Sequence, residues 1–331
     1  MNLYDKQGYL DFESVEKLSQ TFNFITGGRG TGKTFSALKY AYENKLKFIY
    51  IRAMKSQIDF IGSETFNPFK PLNDMFGWNV GVEKVMKDIA GFYNKNEDGT
   101  KELIGIICAL SSFSSLRGFS AEDYKLIIFD EFIPKESETV RGDWGSQFMD
   151  FYETVNRNRE LQGREAVKVY CLANSNKIGN QLFIRFNLLN KVIDMILNNK
   201  NYSIMKDRGI SIFLLSDSPI SKKKAGTSLY KAIGQSDYSQ MALANMFKAV
   251  DKKNVKSLQL RQLQPLVQCG EIYVYLSERG FYISNKGFMK MPLCNMELFK
   301  VNYNDVIDSV LFERCTYENI VSKIIAQEYF M

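Results

Sequence analysis

A glycine-rich loop between an apolar run and a helical segment constrains the fold of this chain more than any other feature. Residues 22–26 form a short apolar run typical of a strand, and a helical pattern begins at Phe35. The residues between them match the phosphate-binding loop pattern in the strand–loop–helix context that this motif requires. The predicted nucleotide-binding residues are Gly27, Gly28, Arg29, Gly30, Thr31, Gly32, Lys33 and Thr34.

The chemistry of this loop follows from its residue types. Glycines let backbone N–H groups surround phosphates, and the N-terminus of the helix adds positive potential. Lys33 is expected to be solvent-accessible and to reach the β- and γ-phosphates of ATP, and Thr34 is expected to hold Mg²⁺.

A second motif, at residues 125–131, is an apolar run that ends in two carboxylates. Its apolar part predicts a buried parallel strand, the Walker B strand, with Asp130 near Mg²⁺ at the carboxyl end. Glu131 is then placed to activate a water molecule for attack on the γ-phosphate. The alternative is a structural strand followed by an acidic turn.

Composition excludes several kinds of chemistry. The 331 residues, enough for two domains, include no histidine, which removes histidine-based catalysis and histidine-ligated metal sites. The five cysteines are scattered without a C-x-x-C pair, which indicates a reducing compartment. No apolar run is long enough to predict a transmembrane helix, and the N-terminus does not resemble a signal peptide.

The positive charge is concentrated in one segment. Residues 198–249 contain eight lysines and arginines and three acidic residues, a net charge of +5 out of +6 for the whole chain. Lys222, Lys223 and Lys224 lie within this segment and are candidates for contact with a polyanion such as DNA. The alternative is a solvated linker.

Alternating apolar runs and helical patterns predict an α/β fold with a parallel sheet flanked by helices. Residues 62–102 are irregular and predict an insertion that contains a hairpin. An extra strand at Leu103–Leu110, before the Walker B strand, favours the additional-strand class of P-loop ATPases, in which a glutamate follows the Walker B aspartate. The predicted strands are Phe22–Thr26, Phe48–Ile51, Leu103–Leu110, Leu126–Phe129 and Val167–Leu172.

The alternation of apolar runs and helical patterns changes near Ile220. We expect three domains: a P-loop ATPase domain at 1–197, a basic helical linker at 198–249 and a small α+β domain at 250–331. In the last domain, turns at 278–280 and 285–287 separate three predicted strands, and two helices follow at 305–315 and 319–330.

Three further polar residues are candidates for catalysis. Asn174 follows a predicted strand, where related ATPases have a sensor for the attacking water; an ordinary turn is the alternative. Arg157 and Arg159 both qualify as an arginine finger supplied to a neighbouring subunit. An R-x-R pair on a helix is also common on solvated surfaces.

The ordered set of motifs resembles the DNA-packaging ATPases of small, protein-primed tailed bacteriophages, which belong to the terminase-like P-loop ATPases. The resemblance rests on residues 24–33, 48–52, 128–132, 154–160 and 171–174. The Asp-Glu-Phe and Arg-Asn-Arg-Glu segments are its most specific parts. It weakens beyond residue 200, and the last 80 residues match only in pattern.

The resemblance implies a homo-oligomeric ring, a pentamer, that uses ATP and Mg²⁺ to move double-stranded DNA into a capsid through its portal. Such a motor works in the host cytoplasm, transiently at the procapsid portal vertex. Residue by residue, Arg157 matches a trans-acting finger, Arg117 a basic residue at the subunit interface, Arg52 an arginine that ends the second strand, and Lys55 a basic residue facing the DNA channel.

Other implications concern the end of the chain and a partner. The resemblance implies a degenerate RNase H-like C-terminal domain; Glu271 and Glu278 lack further acidic neighbours at strand centres, so no two-metal nuclease is expected. Some relatives use a structural RNA on the motor, and this sequence does not indicate whether the chain does.

The alternatives to a packaging motor are a helicase or partition ATPase, and a non-enzymatic capsid-associated DNA-binding protein.

Overall fold

The structure is a computed structural model that describes residues 2–53, 67–86, 88–112, 121–134, 142–174, 177–215, 218–234, 236 and 251–330. The chain divides into two compact units. The first contains Met1–Asn176 and Met195–Phe247, and the second contains Lys177–Asp194 and Lys248–Met331.

A nine-stranded sheet forms the centre of the first unit in the described ranges, in the order β3-β4-β5-β2-β6-β7-β1-β9-β8. The six strands from β5 to β9 in this order pair in parallel, and both edges are antiparallel. The strands are β1 Phe22–Gly27, β2 Phe48–Arg52, β3 Val80–Met86, β4 Ile89–Lys95, β5 Lys101–Ala109, β6 Leu126–Asp130, β7 Lys168–Ala173, β8 Tyr202–Met205 and β9 Ile210–Leu215.

One helix up to residue 233 precedes β1, and the others lie between these strands in the chain or follow them; residues 177–194, which include one whole helix and most of the next, belong to the second unit. These helices are α1 Phe12–Glu16, α2 Lys33–Glu43, α3 Lys70–Phe76, α4 Trp144–Asn156, α5 Gln181–Arg185, α6 Leu189–Leu197, α7 Pro219–Lys224 and α8 Ser228–Ile233. Every residue of β6 and β9 is buried, as expected for parallel strands covered on both faces. The prediction of an α/β fold with a parallel sheet is confirmed.

The predicted hairpin in the insertion is also confirmed, as the antiparallel pair β3 and β4. The predicted role of the strand at Leu103–Leu110 is wrong. This strand, β5, pairs with β2 on the side away from β6, whereas β7 lies between the Walker B strand and β1. The additional strand beside the phosphate-binding loop is therefore β7.

The segment at 198–249 is not a helical linker throughout. Its apolar run Ile210–Leu215 forms β9, which pairs in parallel with β1, and β8 pairs with β9. Because β9 is fully buried in the sheet, this part of the segment belongs to the first unit. The remainder contains α7 and α8, and residues 235 and 237–249 of the predicted helical region lie outside the described residues.

The second unit contains a five-stranded sheet in the order β13-β10-β11-β12-β14. Its elements after residue 248 are β10 Gln264–Cys269, β11 Ile272–Ser277, β12 Gly280–Ser284, β13 Leu293–Cys294, β14 Thr316–Tyr317, α9 Met296–Asn302, α10 Asn304–Leu311 and α11 Ile320–Phe330. A small α+β arrangement is confirmed, but the predicted third strand at 287–292 is wrong. The sheet instead uses β10, whose Pro265 lies at an irregularity in the pairing with β11.

Candidate nucleotide-binding site

Four parallel strands bring the predicted site residues to one edge of the sheet. The strands β1, β6 and β2 end at Gly27, Asp130 and Arg52, and β7 ends just before Asn174. Their register places Thr26 beside Ala173 and Asp130 beside Leu172. In open α/β sheets this carboxyl edge is where ligands bind.

The phosphate-binding loop has the backbone that its glycines permit. Gly30 and Gly32 have φ of +72° and +86°, a left-handed conformation that glycine adopts at little cost. Gly32 caps α2, which begins at Lys33. Arg29 and Gly30 are exposed at the tip of the loop. The loop therefore presents its tip and the start of α2 toward the same edge of the sheet.

Lys33 is buried in the loop, contrary to the expectation of an exposed side chain. Only 5% of the residue is exposed, and Nζ donates hydrogen bonds to the carbonyl oxygens of Gly27 and Gly28, both at 2.9 Å, and to Thr31 Oγ1 at 3.1 Å. Burial lowers the pKa of Lys33 to about 7, an effect that Asp130 opposes and Lys224 reinforces.

Asp130 connects the loop to the neighbouring strands. Its Oδ1 accepts a hydrogen bond from Thr34 Oγ1 at 2.9 Å, and its Oδ2 accepts one from the hydroxyl of Tyr50. Tyr50 is fully buried, and this burial raises the pKa of its hydroxyl well above the usual value, so the group remains a donor. The carboxylate is therefore fixed by the loop from one side and by β2 from the other.

Arg52 binds both Walker B carboxylates. Its NH2 lies 2.9 Å from Asp130 Oδ2, and its NH1 lies 3.2 Å from Glu131 Oε2. Glu131 has a φ of +56°, and the chain turns there so that the N–H of Phe132 donates to the carbonyl of Leu172 at 3.1 Å. Positive φ is uncommon at a residue other than glycine. The side chain of Glu131 retains 21% exposure, so water can reach it.

These residues fit a nucleotide with Mg²⁺. Magnesium prefers oxygen ligands, commonly one or two from the protein with the remainder from phosphates and water. Thr34 Oγ1 and Asp130 Oδ1 lie 2.9 Å apart and supply a hydroxyl and a carboxylate oxygen at the start of α2. The loop provides the N–H groups that bind phosphates.

The two arginines of the R-x-R pair have different surroundings. Asp143 caps the N-terminus of α4, because its side chain accepts a hydrogen bond from the Ser146 N–H, and the helix ends at Asn156. Arg157 follows with a φ of +46°, is exposed, and donates through Nε to the carbonyl of Thr154 at 3.3 Å. An exposed position is compatible with the predicted contact to another subunit.

Arg159 does not support the predicted role at a subunit interface. Only 5% of it is exposed, and its NH2 donates to the carbonyl oxygens of Ala121, Glu122 and Tyr124 at 2.5–2.9 Å. These residues lead into β6. The guanidinium therefore satisfies backbone acceptors of its own chain, and we assign it a structural role.

The three consecutive lysines also differ from one another. Lys222 and Lys223 are exposed on α7, as a contact with DNA requires. Lys224 instead donates a hydrogen bond from Nζ to the carbonyl of Arg29, at 2.7 Å, at the tip of the phosphate-binding loop. The predicted residues Lys55 and Arg117 lie outside the described residues.

Sequence reasoning missed Tyr50. A signal was present, because Tyr50 and Arg52 are two residues apart in a strand and so project from the same face. The register of β2 with β6 pairs Ile51 with Phe129, which brings Arg52 level with Asp130. A tyrosine and an arginine on one face next to the Walker B strand indicate a polar network around its aspartate.

Two features are absent from the described part of the chain. No group of three or more histidine, cysteine, aspartate or glutamate residues there could hold a metal ion. No helix in the same ranges is long and apolar enough to cross a membrane.

Solved structures with the same fold include packaging motors. A structure described as the phi28 gp11 DNA packaging motor matches with a TM-score of 0.68 and 16% identity, over 97% of this chain and 96% of that chain. The N-terminal domain of the DNA packaging ATPase from bacteriophage phi29 matches with a TM-score of 0.50 and 24% identity, over 64% of this chain and 97% of that chain. At these identities the matches establish the fold.

Sequence relatives give the family. The DNA packaging proteins of Bacillus phages phi29 and PZA are each 28% identical over 248 residues, which is 73% of this chain and 67% of each relative. The DNA packaging protein of Bacillus phage B103 is 26% identical over 68% of this chain and 64% of its own length. Residues 4–259 match the family of the podovirus DNA encapsidation protein (Gp16), and the chain belongs to that family.

Proposed function

We propose that this chain is the ATPase of a viral genome-packaging motor, which moves double-stranded DNA into a procapsid. The observation that carries the proposal is the network of Thr34, Asp130, Arg52 and Glu131 at the loop, in a member of the DNA encapsidation family. A nucleotide-binding protein without hydrolysis needs no water-accessible carboxylate beside the Walker B aspartate.

Different residues of the site carry out different parts of ATP hydrolysis. The loop N–H groups and Lys33 bind the phosphates of ATP, and Thr34 and Asp130 hold Mg²⁺. Mg²⁺ held there would supply positive charge that offsets the negative charge of the phosphates. Glu131 accepts the proton of that water, and Asn174, which follows β7 beside the loop, orients it or the γ-phosphate.

Arg52 controls whether the carboxylate of Glu131 is free to act on the attacking water. In the structure its guanidinium forms an ion pair with the carboxylate of Glu131 at 3.2 Å and with that of Asp130 at 2.9 Å. The guanidinium occupies Oε2 of Glu131, an oxygen that a water molecule would otherwise contact. Release of Glu131 from Arg52 would therefore accompany activation of the water.

The remaining site residues act between subunits of a homo-oligomeric ring, for which we propose five subunits. Arg157 supplies the arginine finger to the ATP of the neighbouring subunit, and Arg117 lies at the same interface. The ring docks on the capsid portal in the host cytoplasm, and a structural RNA is a further candidate partner by resemblance to relatives.

Contacts with DNA come from basic residues. Lys222 and Lys223 are exposed on α7 within the segment that carries most of the net positive charge. Lys55 is proposed to face the DNA channel. Contacts of lysines with phosphates do not depend on base sequence, which suits a motor that must move a whole genome.

Mixing two inactive variants tests the ring and the chemistry together. Glu131→Gln retains the arginine finger, and Arg157→Ala retains the base. In mixed rings, some sites combine an intact Glu131 with an intact Arg157 from the neighbour. Because an arginine finger contributes on the order of a thousandfold to turnover, those sites should recover measurable hydrolysis.

If co-assembled rings stay inactive at every mixing ratio, Arg157 does not act across the interface. Full ATPase activity in Glu131→Gln would remove the proposed base and favour a protein that only binds nucleotide. Packaging of DNA into purified empty procapsids, dependent on ATP and lost in Glu131→Gln, separates the packaging motor from a helicase or a partition ATPase, neither of which fills a capsid.

A further inference from the structure

Lys224 covers the tip of the phosphate-binding loop. Its Nζ donates to the carbonyl of Arg29 at 2.7 Å, although the two residues are 195 positions apart in the chain. A Cβ built on Gly30 would lie 2.0 Å from Lys224 Nζ and 2.9 Å from its Cε. The ammonium group therefore rests directly against Gly30, and the absence of a side chain at this position admits it.

The N-terminal segment holds α7 in this position. Ser218 Oγ donates to the carbonyl of Gly8 at 3.2 Å, and a Cβ on Gly8 would meet Pro219 and Ile220 at 2.9 Å. Lys223 Nζ donates to the carbonyl of Gln7 at 3.3 Å. The start of α7 is thus packed against residues 7–8, and its last residue reaches the loop.

The same segment is bonded to the phosphate-binding loop. The N–H of Leu10 donates to the carbonyl of Thr31 at 2.8 Å, and Ser36 Oγ donates to the carbonyl of Leu10 at 2.8 Å. A Cβ on Gly32 would lie 3.2 Å from that of Tyr9. The N-terminal segment therefore contacts both the phosphate-binding loop and α7, and these contacts set the position of Lys224.

The charges around the loop tip are unbalanced. Asp130 and Glu131 are both paired with Arg52. Lys33 lies in the field of these two carboxylates, whereas Lys224 donates to a neutral backbone carbonyl, and the charged group that acts on Lys224 is Arg29, another cation. A phosphate oxygen is a stronger acceptor for this ammonium than a carbonyl, because its negative charge adds Coulomb attraction to the hydrogen bond.

We propose that Lys224 is a second phosphate-binding lysine of the nucleotide site, acting in the same subunit as Lys33 and exchanging the carbonyl of Arg29 for a phosphate oxygen of a nucleoside triphosphate. This inference rests on the proposed function. It removes Lys224 from the predicted DNA-binding set and leaves Lys222 and Lys223 there.

The test compares neighbouring lysines of one helix. Affinity for a non-hydrolysable ATP analogue with Mg²⁺ is measured by calorimetry, without DNA, for the wild type and for Lys224→Ala, Lys224→Arg and Lys222→Ala. Loss of one charged hydrogen bond to phosphate should weaken binding about tenfold in Lys224→Ala. Lys224→Arg should stay close to the wild type, and Lys222→Ala, which removes an equal charge from an exposed position, should bind as the wild type does.

Several outcomes decide against the inference. Wild-type affinity in Lys224→Ala would overturn it, and so would an equal loss in Lys222→Ala, since that would reflect the general field of the segment. Weaker DNA binding by Lys224→Ala with unchanged nucleotide affinity would return Lys224 to the DNA-binding set. If the wild type itself binds no nucleotide, the proposed function fails first, and the inference with it.

Discussion

Arg157 and Arg159 belong to the same R-x-R pair, and substituting each with alanine should produce opposite results. Arg159→Ala removes a buried guanidinium whose NH2 donates to three backbone carbonyls before β6. Hydrogen bonds to a charged group contribute about 1.5–3 kcal/mol, and acceptors that lose a buried partner add a desolvation cost. Since water can reach part of this turn, we expect a loss of about 2–4 kcal/mol in the free energy of unfolding.

Arg157→Ala should leave stability nearly unchanged. Arg157 is exposed after the end of α4, and surface substitutions of this kind usually change the free energy of unfolding by less than about 0.5 kcal/mol. Its proposed contribution is to hydrolysis in the ring, so ATPase activity should fall steeply while nucleotide binding persists.

Tryptophan fluorescence suits the measurement, because both tryptophans of the chain, Trp78 and Trp144, lie in the first unit. Urea unfolding should give a lower midpoint for Arg159→Ala with an unchanged slope. In a unit of this size, the thermal midpoint should fall by roughly 5–12 °C. Unchanged unfolding of Arg159→Ala together with abolished hydrolysis would refute the structural assignment and return this arginine to the subunit interface.

Three further predictions concern the site and DNA. Tyr50→Phe removes the hydroxyl that donates to Asp130 and should raise the Mg²⁺ concentration needed for half-maximal ATPase activity several-fold. Tyr170→Phe, which removes a hydroxyl bonded to Glu16, is the matched control and should leave that Mg²⁺ concentration unchanged. Lys33→Met should abolish nucleotide binding in calorimetry and lower the free energy of unfolding by about 1–3 kcal/mol, because the carbonyls of Gly27 and Gly28 lose a buried donor. The variant should still fold, and one that fails to fold would contradict this. The affinity for double-stranded DNA should fall steeply with salt and be independent of base sequence. Lys222→Ala should lower the slope of log affinity against log salt by about one unit for each DNA phosphate that this lysine neutralises. An unchanged slope would remove that lysine from the DNA-binding set.

The parts of the site that the sequence predicted are those defined by local patterns. The loop with Lys33 and Thr34, and the strand that ends in Asp130 and Glu131, each lie within a short segment whose residue types fix the local backbone. The predicted proximity of these two segments depends only on both being carboxyl ends of nearby parallel strands. The hydrogen bond from Thr34 to Asp130 is the direct result.

The parts that the sequence did not predict depend on distant segments. Whether an arginine near the end of α4 is exposed depends on where the helix stops, and the positive φ of Arg157 directs the following residues toward the turn before β6. Burial of Lys33 similarly depends on the loop closing on its own carbonyls. Neither property is encoded in residue type or spacing.

Strand order explains why Lys224 can contact a loop so far away in the chain. The apolar run Ile210–Leu215 lies inside a segment whose charge predicts a linker, yet as β9 it pairs with β1 along its whole length. Because β7 and β9 flank β1, the chain leaving each of them emerges beside the phosphate-binding loop, with Asn174 on one side and α7 on the other. The same segment carries the exposed Lys222 and Lys223, so a change at the loop that moved α7 would also move the proposed DNA contacts.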